Sequence, residues 1–377
     1  MMNIALLFGG KSGEHEVSLL SASYVAREID SKKFKVMPIG ISKKGVWFLQ
    51  SDEELNRVRS DEKNSFNIIE DEKNLVSVIP GHGKNSFSVE RKSLEIDVVF
   101  PCLHGTNCED GILQGLLESA GVPYVGCSVA ASAITMDKEK TKQVWQNSGL
   151  PVVPYVCVRR VDLNDRSSYK KLVDDAIAKF GFPLFVKPCN AGSSVGAGKA
   201  TNAQELSAAL DEAFLWDNKI LIEKAIDARE IECSVTGNAT IQNEKNPCGK
   251  VAAYVPGEIL PTHNFYDYDA KYTDPAGAVL KIPALLDDTQ IEKVRTLAQA
   301  AYKILDCSGL SRVDFFIDKN SGELFLNEIN TIPGFTSISM FSKMCEAGGL
   351  KYEQLITLLI EEALEVFEQK QRLSTSR

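Results

Sequence analysis

Only four histidines occur in the chain, far apart, and none of the nine cysteines forms a C-x-x-C pair. A zinc site is therefore not expected, and an odd number of scattered thiols fits a reducing cytosol better than a disulfide framework. No apolar run approaches the roughly 20 residues needed to span a bilayer, so membrane insertion is not expected. Basic residues do not dominate: 42 Lys and Arg stand against 51 Asp and Glu, a net charge of -9. That balance argues against a general nucleic-acid or anionic-membrane surface while leaving room for a local basic pocket. No internal repeat is present, no G-x-G-x-x-G follows the first strand, and the glycine-rich run ending at Lys199 is not a Walker A loop. The N-terminus lacks a basic stretch and a small-residue cleavage site, and is read as a first strand.

What is there is the make-up of a globular protein. At 377 residues, 44% hydrophobic and 25% charged, the chain has room for two or three cores. Asn3–Phe8 reads as a strand, Gly9-Gly10-Lys11-Ser12-Gly13 as a tight turn, and Glu16–Ile29 as a helix. Lys35–Ile41 and Val46–Leu49 follow as strands, and the acidic, weakly periodic residues 50–95 as a peripheral insertion. Ile96–Leu103 is a strand ending at His104-Gly105. A histidine there fits either a structural hydrogen bond or a site role, because open α/β sheets bind ligands at the carboxyl ends of their strands. Ile112–Ser119 and Met136–Gly149 read as helices, the second interrupted by Pro151 and Pro154, with a domain boundary between about 121 and 155.

Phe182–Pro188 reads as a strand with Lys187 at its end, followed by the glycine- and serine-rich run from Asn190 to Lys199. Such a run can fold over phosphates and donate backbone N–H groups; a plain β-hairpin is the alternative. Ala203–Phe214 is an amphipathic helix, Lys219–Lys224 a strand ending in Glu223 and Lys224, and Glu230–Val235 another strand. Residues 256–278 carry no long periodic element, the mark of a lid or binding loop. Its centre, Phe265–Tyr272, offers aromatic rings and Lys271. Helices are expected at Ile291–Leu305 and Tyr352–Gln369.

One stretch near the C-terminus organises the rest. After the strand Leu324-Phe325-Leu326, Glu328 and Asn330 stand two apart and leave the same face of an extended chain. The strand Gly309–Ile317 places Arg312 and Asp314 on one face in the same way. Side by side, the two strands would offer Asp314, Glu328 and Asn330 to a hard cation such as Mg²⁺, which takes oxygen ligands. Pro333-Gly334 then turns the chain, with backbone N–H groups for an anion and the hydroxyls of Thr336, Ser337 and Ser339 nearby. A polar hairpin with solvated carboxylates is the plain alternative. Taken together, Lys187, the flap, Glu223 and the oxygen set describe an ATP site without a P-loop.

On these residues the sequence resembles the ATP-grasp ligases, and within them the D-alanine–D-alanine ligase family. The motifs stand in family order over nearly the whole chain: Leu103-His104-Gly105 with Glu109-Asp110-Gly111, Met136-Asp137-Lys138, Val186-Lys187-Pro188, Gly192-Ser193-Ser194, Ile222-Glu223-Lys224, Lys271-Tyr272, Arg312-Val313-Asp314 and Asn327-Glu328-Ile329-Asn330. The resemblance implies a mixed α/β (α+β) fold of three-domain ATP-grasp architecture with an N-terminal Rossmann-like parallel sheet. The domains would be residues 1–126, then 127–223 with the flap, and 224–377 with the lid and the Mg²⁺ site.

The resemblance also implies the roles. Asp314, Glu328 and Asn330 would hold two Mg²⁺ ions, with Mn²⁺ as a substitute. Lys138, Lys187 and Lys271 would meet the ATP phosphates under a flap carrying Ser193 and Ser194; Glu223 and Lys224 would meet the adenine and Glu230 the ribose. Glu16 would bind the ammonium of the first D-alanine, and Glu16, Ser193 and Tyr272 would link flap and lid. Arg312 and the Gly334 N–H would form the oxyanion site, with His104 beside them. Ser339, Lys271 and Met340 would face the second substrate. The implied activity is ATP-dependent joining of two D-alanine molecules through an acyl phosphate for peptidoglycan precursors, by a cytoplasmic homodimer. A D-alanine–D-serine ligase, or another ATP-grasp carboxylate–amine ligase, is the alternative. Ile338 stands where many relatives have histidine, which leaves the shape of the second-substrate pocket open.

Overall fold

A computed structural model describes residues 1–240, 250–261, 278–336 and 338–374. In the N-terminal sheet Met2–Gly9 lies between Phe34–Ile41 and Val98–Pro101, parallel to both, with Trp47–Leu49 as an antiparallel edge. Ile4 to Phe8 are all buried, as expected of a parallel strand covered on both faces. Helix His15–Glu28 covers one face.

The segment 50–95 is less peripheral than its composition suggests. Phe66 is fully buried and stacks on Phe8 at 4.3 Å, and Leu55 and Val58 of helix Asp52–Ser60 join the same core. A small antiparallel sheet of Val76–Val78, Phe87–Val89 and Lys92–Leu94 completes it. Single apolar residues at irregular spacing carry that packing, so no period marks them.

The middle sheet is antiparallel throughout, in the order Gly198–Ala200, Leu184–Pro188, Lys219–Lys224, Tyr155–Arg159. Val186, Ile220 and Ile222 pack against Leu206, Leu210 and Ala213 of helix Ala203–Trp216. Helix Arg166–Phe180 covers the same core and was not expected, although Asp165 caps it and Tyr169, Leu172, Val173, Ala176, Ile177 and Phe180 recur at helical spacing, mostly half-buried against that core.

The third sheet runs Ala278–Lys281, Gly257–Pro261, Ala228–Thr236, Leu310–Asp318, Leu324–Asn330. The loop expected over 256–278 thus begins and ends as a pair of antiparallel strands. Helix Asp288–Ile304 buries Val294, Ala298, Ala301 and Tyr302 against the sheet. In place of one helix over 136–149, Val129–Met136 and Lys138–Asn147 meet at Asp137, which is extended and accepts the Lys140 N–H at 3.1 Å as an N-cap. Ala131 and Trp145 of these helices pack into the core of the third sheet. Helix Met340–Ala347 was also unforeseen. Helix Tyr352–Gln371 returns to the first sheet, where Leu355, Ile356, Leu359 and Ile360 share a core with Leu6 and Phe100.

Candidate active site

The strands Leu310–Asp318 and Leu324–Asn330 pair Asp314 with Glu328 and Arg312 with Asn330. Their register shifts between Asp314 and Phe315, where Leu326 faces Phe315 and Asn327 is left as the extra residue of a bulge. Bulges re-aim side chains, and cluster beside active sites for that reason. Here Asn327 and Glu328 each meet a lysine: Lys187 Nζ donates to Asn327 Oδ1 at 2.9 Å, and Lys138 Nζ lies 3.4 Å from Glu328 Oε2.

Every carboxylate of this cleft has a cation or donor at hand. Arg312 grips Asp314 in a two-point fork, 2.7 Å at each contact, and its Nε is 3.1 Å from Glu232. Asn330 donates to Asp314 at 2.9 Å. Glu223, buried, sits between Lys187 at 2.7 Å and the fully buried Lys142 at 2.9 Å; the second contact is an ion pair without hydrogen-bond alignment. Burial would raise the Glu223 carboxyl, but the two lysines outweigh it and hold it below its usual range. Burial pulls Lys142 down to about 8 against the attraction of Glu223. Lys142 follows Lys138 by one helical turn, so both reach the cleft from one face of Lys138–Asn147.

The set Asp314, Glu328 and Asn330 fits a hard cation: two carboxylates and an amide oxygen, all on one side of the sheet, with Lys138 and Arg312 balancing their charge meanwhile. Among the described residues no group of three or more His, Cys, Asp or Glu is arranged for a metal, so the amide is needed to complete this one.

The link expected between Glu16 and Ser193 is corrected. Ser193 Oγ donates to Glu14 Oε1 at 2.5 Å, whereas Glu16 is 65% exposed and pairs with Lys43 at 2.7 Å. Glu14 is the N-cap of helix His15–Glu28, and two residues along a helix turn the side chain about 200° away, so the two glutamates cannot share a face. Glycines close around Glu14: a Cβ on Gly105 would lie 2.7 Å from its carboxylate, and one on Gly192 3.1 Å. The flap is strained here, with Ser193 and Ser194 in left-handed backbone at φ +49° and +60°.

His104 is buried with both ring nitrogens engaged, Nδ1 2.8 Å from the Ile332 carbonyl and Nε2 2.9 Å from Ser21 Oγ. Ser21 Oγ in turn accepts the Phe335 N–H. Glu109 accepts from Gly105 N–H at 2.8 Å and Ile332 N–H at 3.0 Å. Burial, reinforced by Glu14, pushes Glu109 up to about 8. These groups pin the turn that carries Gly334, which makes His104 a positioning residue. Ser339 Oγ, 2.8 Å from Thr336 Oγ1, lies where a Cβ on Gly334 would come within 3.0 Å.

Met340 is buried with Ile259 and Met344 at the start of the unforeseen helix Met340–Ala347, while Ile338 is exposed. Lys224 is exposed beyond Glu223, and Glu230 lies half-buried on strand Ala228–Thr236. Lys271 and Tyr272 lie outside the described residues. Sequence reasoning missed Glu14, Lys142, Asn327 and Glu232. A second lysine four residues after Lys138 was the one signal available.

Two family models match the chain, that of the D-ala D-ala ligase N-terminus over residues 3–127 and that of the D-ala D-ala ligase C-terminus over residues 144–361. The D-alanine–D-alanine ligase of Treponema denticola is 55% identical over 377 residues, with 100% of each chain covered. Among solved structures, the D-alanine–D-alanine ligase of Coxiella burnetii is 33% identical with a TM-score of 0.81, covering 98% of this chain and 96% of that one. The VanG D-Ala:D-Ser ligase of Enterococcus faecalis is 36% identical with a TM-score of 0.81, covering 96% of this chain and 99% of that one.

Proposed function

The chain belongs to the D-alanine–D-alanine ligase family, and from that premise we propose how its own residues carry out the ATP-dependent joining of two D-alanine molecules. It is a ligase with the ATP-grasp fold, it uses ATP and a divalent metal, and its product is a peptidoglycan precursor. The observation that carries the residue assignment is the meeting of two lysines with the strand that carries Glu328 and Asn330: Lys138, from its helix, at Glu328, and Lys187, from the middle sheet, at Asn327.

A carboxylate is a poor electrophile, so ATP first converts that of one D-alanine into an acyl phosphate. Phosphoryl transfer asks the protein mainly for position and charge neutralisation. Lys138 and Lys187 supply both, exchanging their contacts with Glu328 and Asn327 for phosphate oxygens. Mg²⁺, as two ions with Mn²⁺ able to replace them, adds charge neutralisation when bound, and Asp314, Glu328 and Asn330 would hold it. Glu223 and Lys224 end the strand beside the adenine, and Glu230 takes the ribose. Ser193 and Ser194 carry the flap over the phosphates, with Lys271 joining them.

Glu14, not Glu16, is the carboxylate for the first D-alanine's ammonium, since it alone reaches the flap. Arg312 and the Gly334 N–H stabilise the oxyanion when the second amine attacks, and Ser339 receives the second substrate's carboxylate. Tyr272 belongs to the lid in this proposal, which keeps water from the acyl phosphate. The protein is proposed to work as a cytoplasmic homodimer, divided at 1–126, 127–223 and 224–377. The eight free cysteines among the described residues fit a reducing compartment, and no described helix is long and apolar enough to cross a membrane.

ADP release that depends on D-alanine, with D-alanyl-D-alanine as the main product, is the expected result. ADP release indifferent to amino acid would overturn the reading. The likeness to VanG supports D-serine as the second acceptor to test, in direct competition with D-alanine. A dominant D-Ala–D-Ser product would keep the mechanism and change the acceptor.

A further inference from the structure

Three carboxylates stand in one row across the third sheet: Glu232 pairs with Asp314, and Asp314 with Glu328. Directly paired residues point to the same face, so all three belong to the face that carries the cleft. Their neighbours Ile231, Cys233, Val313 and Phe315 point the other way, into the core. Arg312 bridges the first two members of the row. Its Nε donates to Asp314 Oδ1 and its Nη2 to Asp314 Oδ2, each at 2.7 Å. The same Nε is 3.1 Å from Glu232 Oε2. Nε carries a single hydrogen, which points to Asp314, so the contact with Glu232 is an ion pair standing beside a hydrogen bond. Glu232 is 6% exposed, and a carboxylate so buried needs a cation close by. Neither phosphoryl transfer nor amine attack calls on it directly.

Asp314 is asked to do two things. It accepts both arms of Arg312, and as a metal ligand it would turn the same oxygens to a cation. Two positive groups on one carboxylate repel each other, so the fork loosens when the cation is held. Arg312 then needs a second anion to stay where it meets the oxyanion. Glu109 is held elsewhere, its two oxygens accepting the Gly105 and Ile332 N–H groups. We propose that Glu232 is the positioning residue that keeps Arg312 in the cleft, receiving its Nε–H while Asp314 serves the metal. The exchange needs little movement, because Glu232 Oε2 already lies within hydrogen-bond distance of Nε. Glu232 touches neither substrate nor metal in this role and acts through Arg312. The role rests on the reading of Arg312 as the oxyanion group and of Asp314 as a metal ligand.

The test uses the full-length protein, its Glu232→Gln, Arg312→Met and double variants, and a non-hydrolysable ATP analogue. Mn²⁺ binding is followed by the electron paramagnetic resonance of the free ion, and turnover by ADP release. Glu232→Gln leaves Arg312 on Asp314, so Mn²⁺ should bind about fivefold more weakly. It should also lower kcat about tenfold, through a misplaced Arg312, and change the KM for ATP less than about twofold. In the Arg312→Met background the same substitution should change Mn²⁺ affinity and kcat less than about twofold, since nothing is left to position. Parent-like Mn²⁺ affinity and turnover in Glu232→Gln, or equal losses with and without Arg312, would overturn the proposal. Should Glu232→Gln not fold, a crystal structure of the parent with Mg²⁺ and the analogue decides. Arg312 Nε hydrogen-bonded to Glu232 is expected there, and an intact fork on Asp314 overturns the role. Mn²⁺ affinity unchanged by Asp314→Asn would overturn the metal assignment and this role with it. A loss in Asp314→Asn beside a parent-like Glu232→Gln overturns this role alone.

Discussion

Glu223 in the cleft and Glu362 on the C-terminal helix Tyr352–Gln371 are each 2% exposed, yet their surroundings push them in opposite directions. Glu223 has Lys142 and Lys187 within 3 Å and stays below the usual carboxylate range. Glu362 meets backbone N–H groups, that of Gly309 at 2.8 Å, and burial drives it up to about 8. Burial is the same for both; the difference is the cations. Where the chain must receive phosphates and metal, its carboxylates and lysines are held as mutual partners that a charged ligand can displace. Where only backbone N–H groups meet it, as at Glu362, the carboxyl keeps its proton.

The largest expected effect lies in the cleft. Glu328→Gln should lower kcat by about 10²–10³-fold, the scale of one lost electrostatic contact to a transition state, with circular dichroism unchanged. Near-normal turnover at saturating Mg²⁺ would make Glu328 a structural residue. Next, Lys142→Met should cost about 3 kcal/mol in denaturant unfolding, because it takes away one of the two cations of a buried carboxylate. Glu362→Gln should cost less, since it removes no ion pair. Equal losses would erase the distinction between the two carboxyls.

The pH dependence sharpens the same contrast. Glu362 keeps its proton in the folded chain up to about 8, against 4.5 for an ordinary glutamate, so between those values the folded state holds more protons. Its contribution to stability is therefore full below pH 4.5 and lost as pH rises towards 8. Glu223, with its value lowered, contributes above its ordinary 4.5 and loses that contribution as pH falls through the folded value. The unfolding free energy of the parent minus that of Glu362→Gln should fall by about 2 kcal/mol between roughly pH 5.5 and 7.5. A constant difference would show that Glu362 titrates normally. The smallest effect separates two neighbours: Glu14→Gln should raise the KM for D-alanine about tenfold, on the scale of one charge-assisted contact, while Glu16→Gln changes it less than twofold. Reversed outcomes would restore the pairing of Glu16 with Ser193.

Much of the framework was legible. The strand Lys219–Lys224 has the bounds its apolar run suggested, and Asp314, Glu328 and Asn330 do meet on one sheet face. The misreadings share a cause. Helix Met340–Ala347 went unread although it buries Met340 and Met344, and Phe66 looked peripheral until it stacked on Phe8. Neither fact leaves a period in the sequence, because each depends on a partner far along the chain.

By itself, the sequence determined what repeats locally. A pleated strand puts residues two apart on one face, so Arg312 with Asp314 needed only the backbone. Lysines 138 and 142 share a helix face for a similarly local reason. Tertiary structure decided the rest: that a bulge turns Asn327 as well as Glu328 to the cleft, that Lys142 ends against Glu223, and that Ser193 finds Glu14 across 179 positions. Backbone periodicity is a property of neighbouring residues, whereas the pairing of buried charges follows from which surfaces the packed cores bring together.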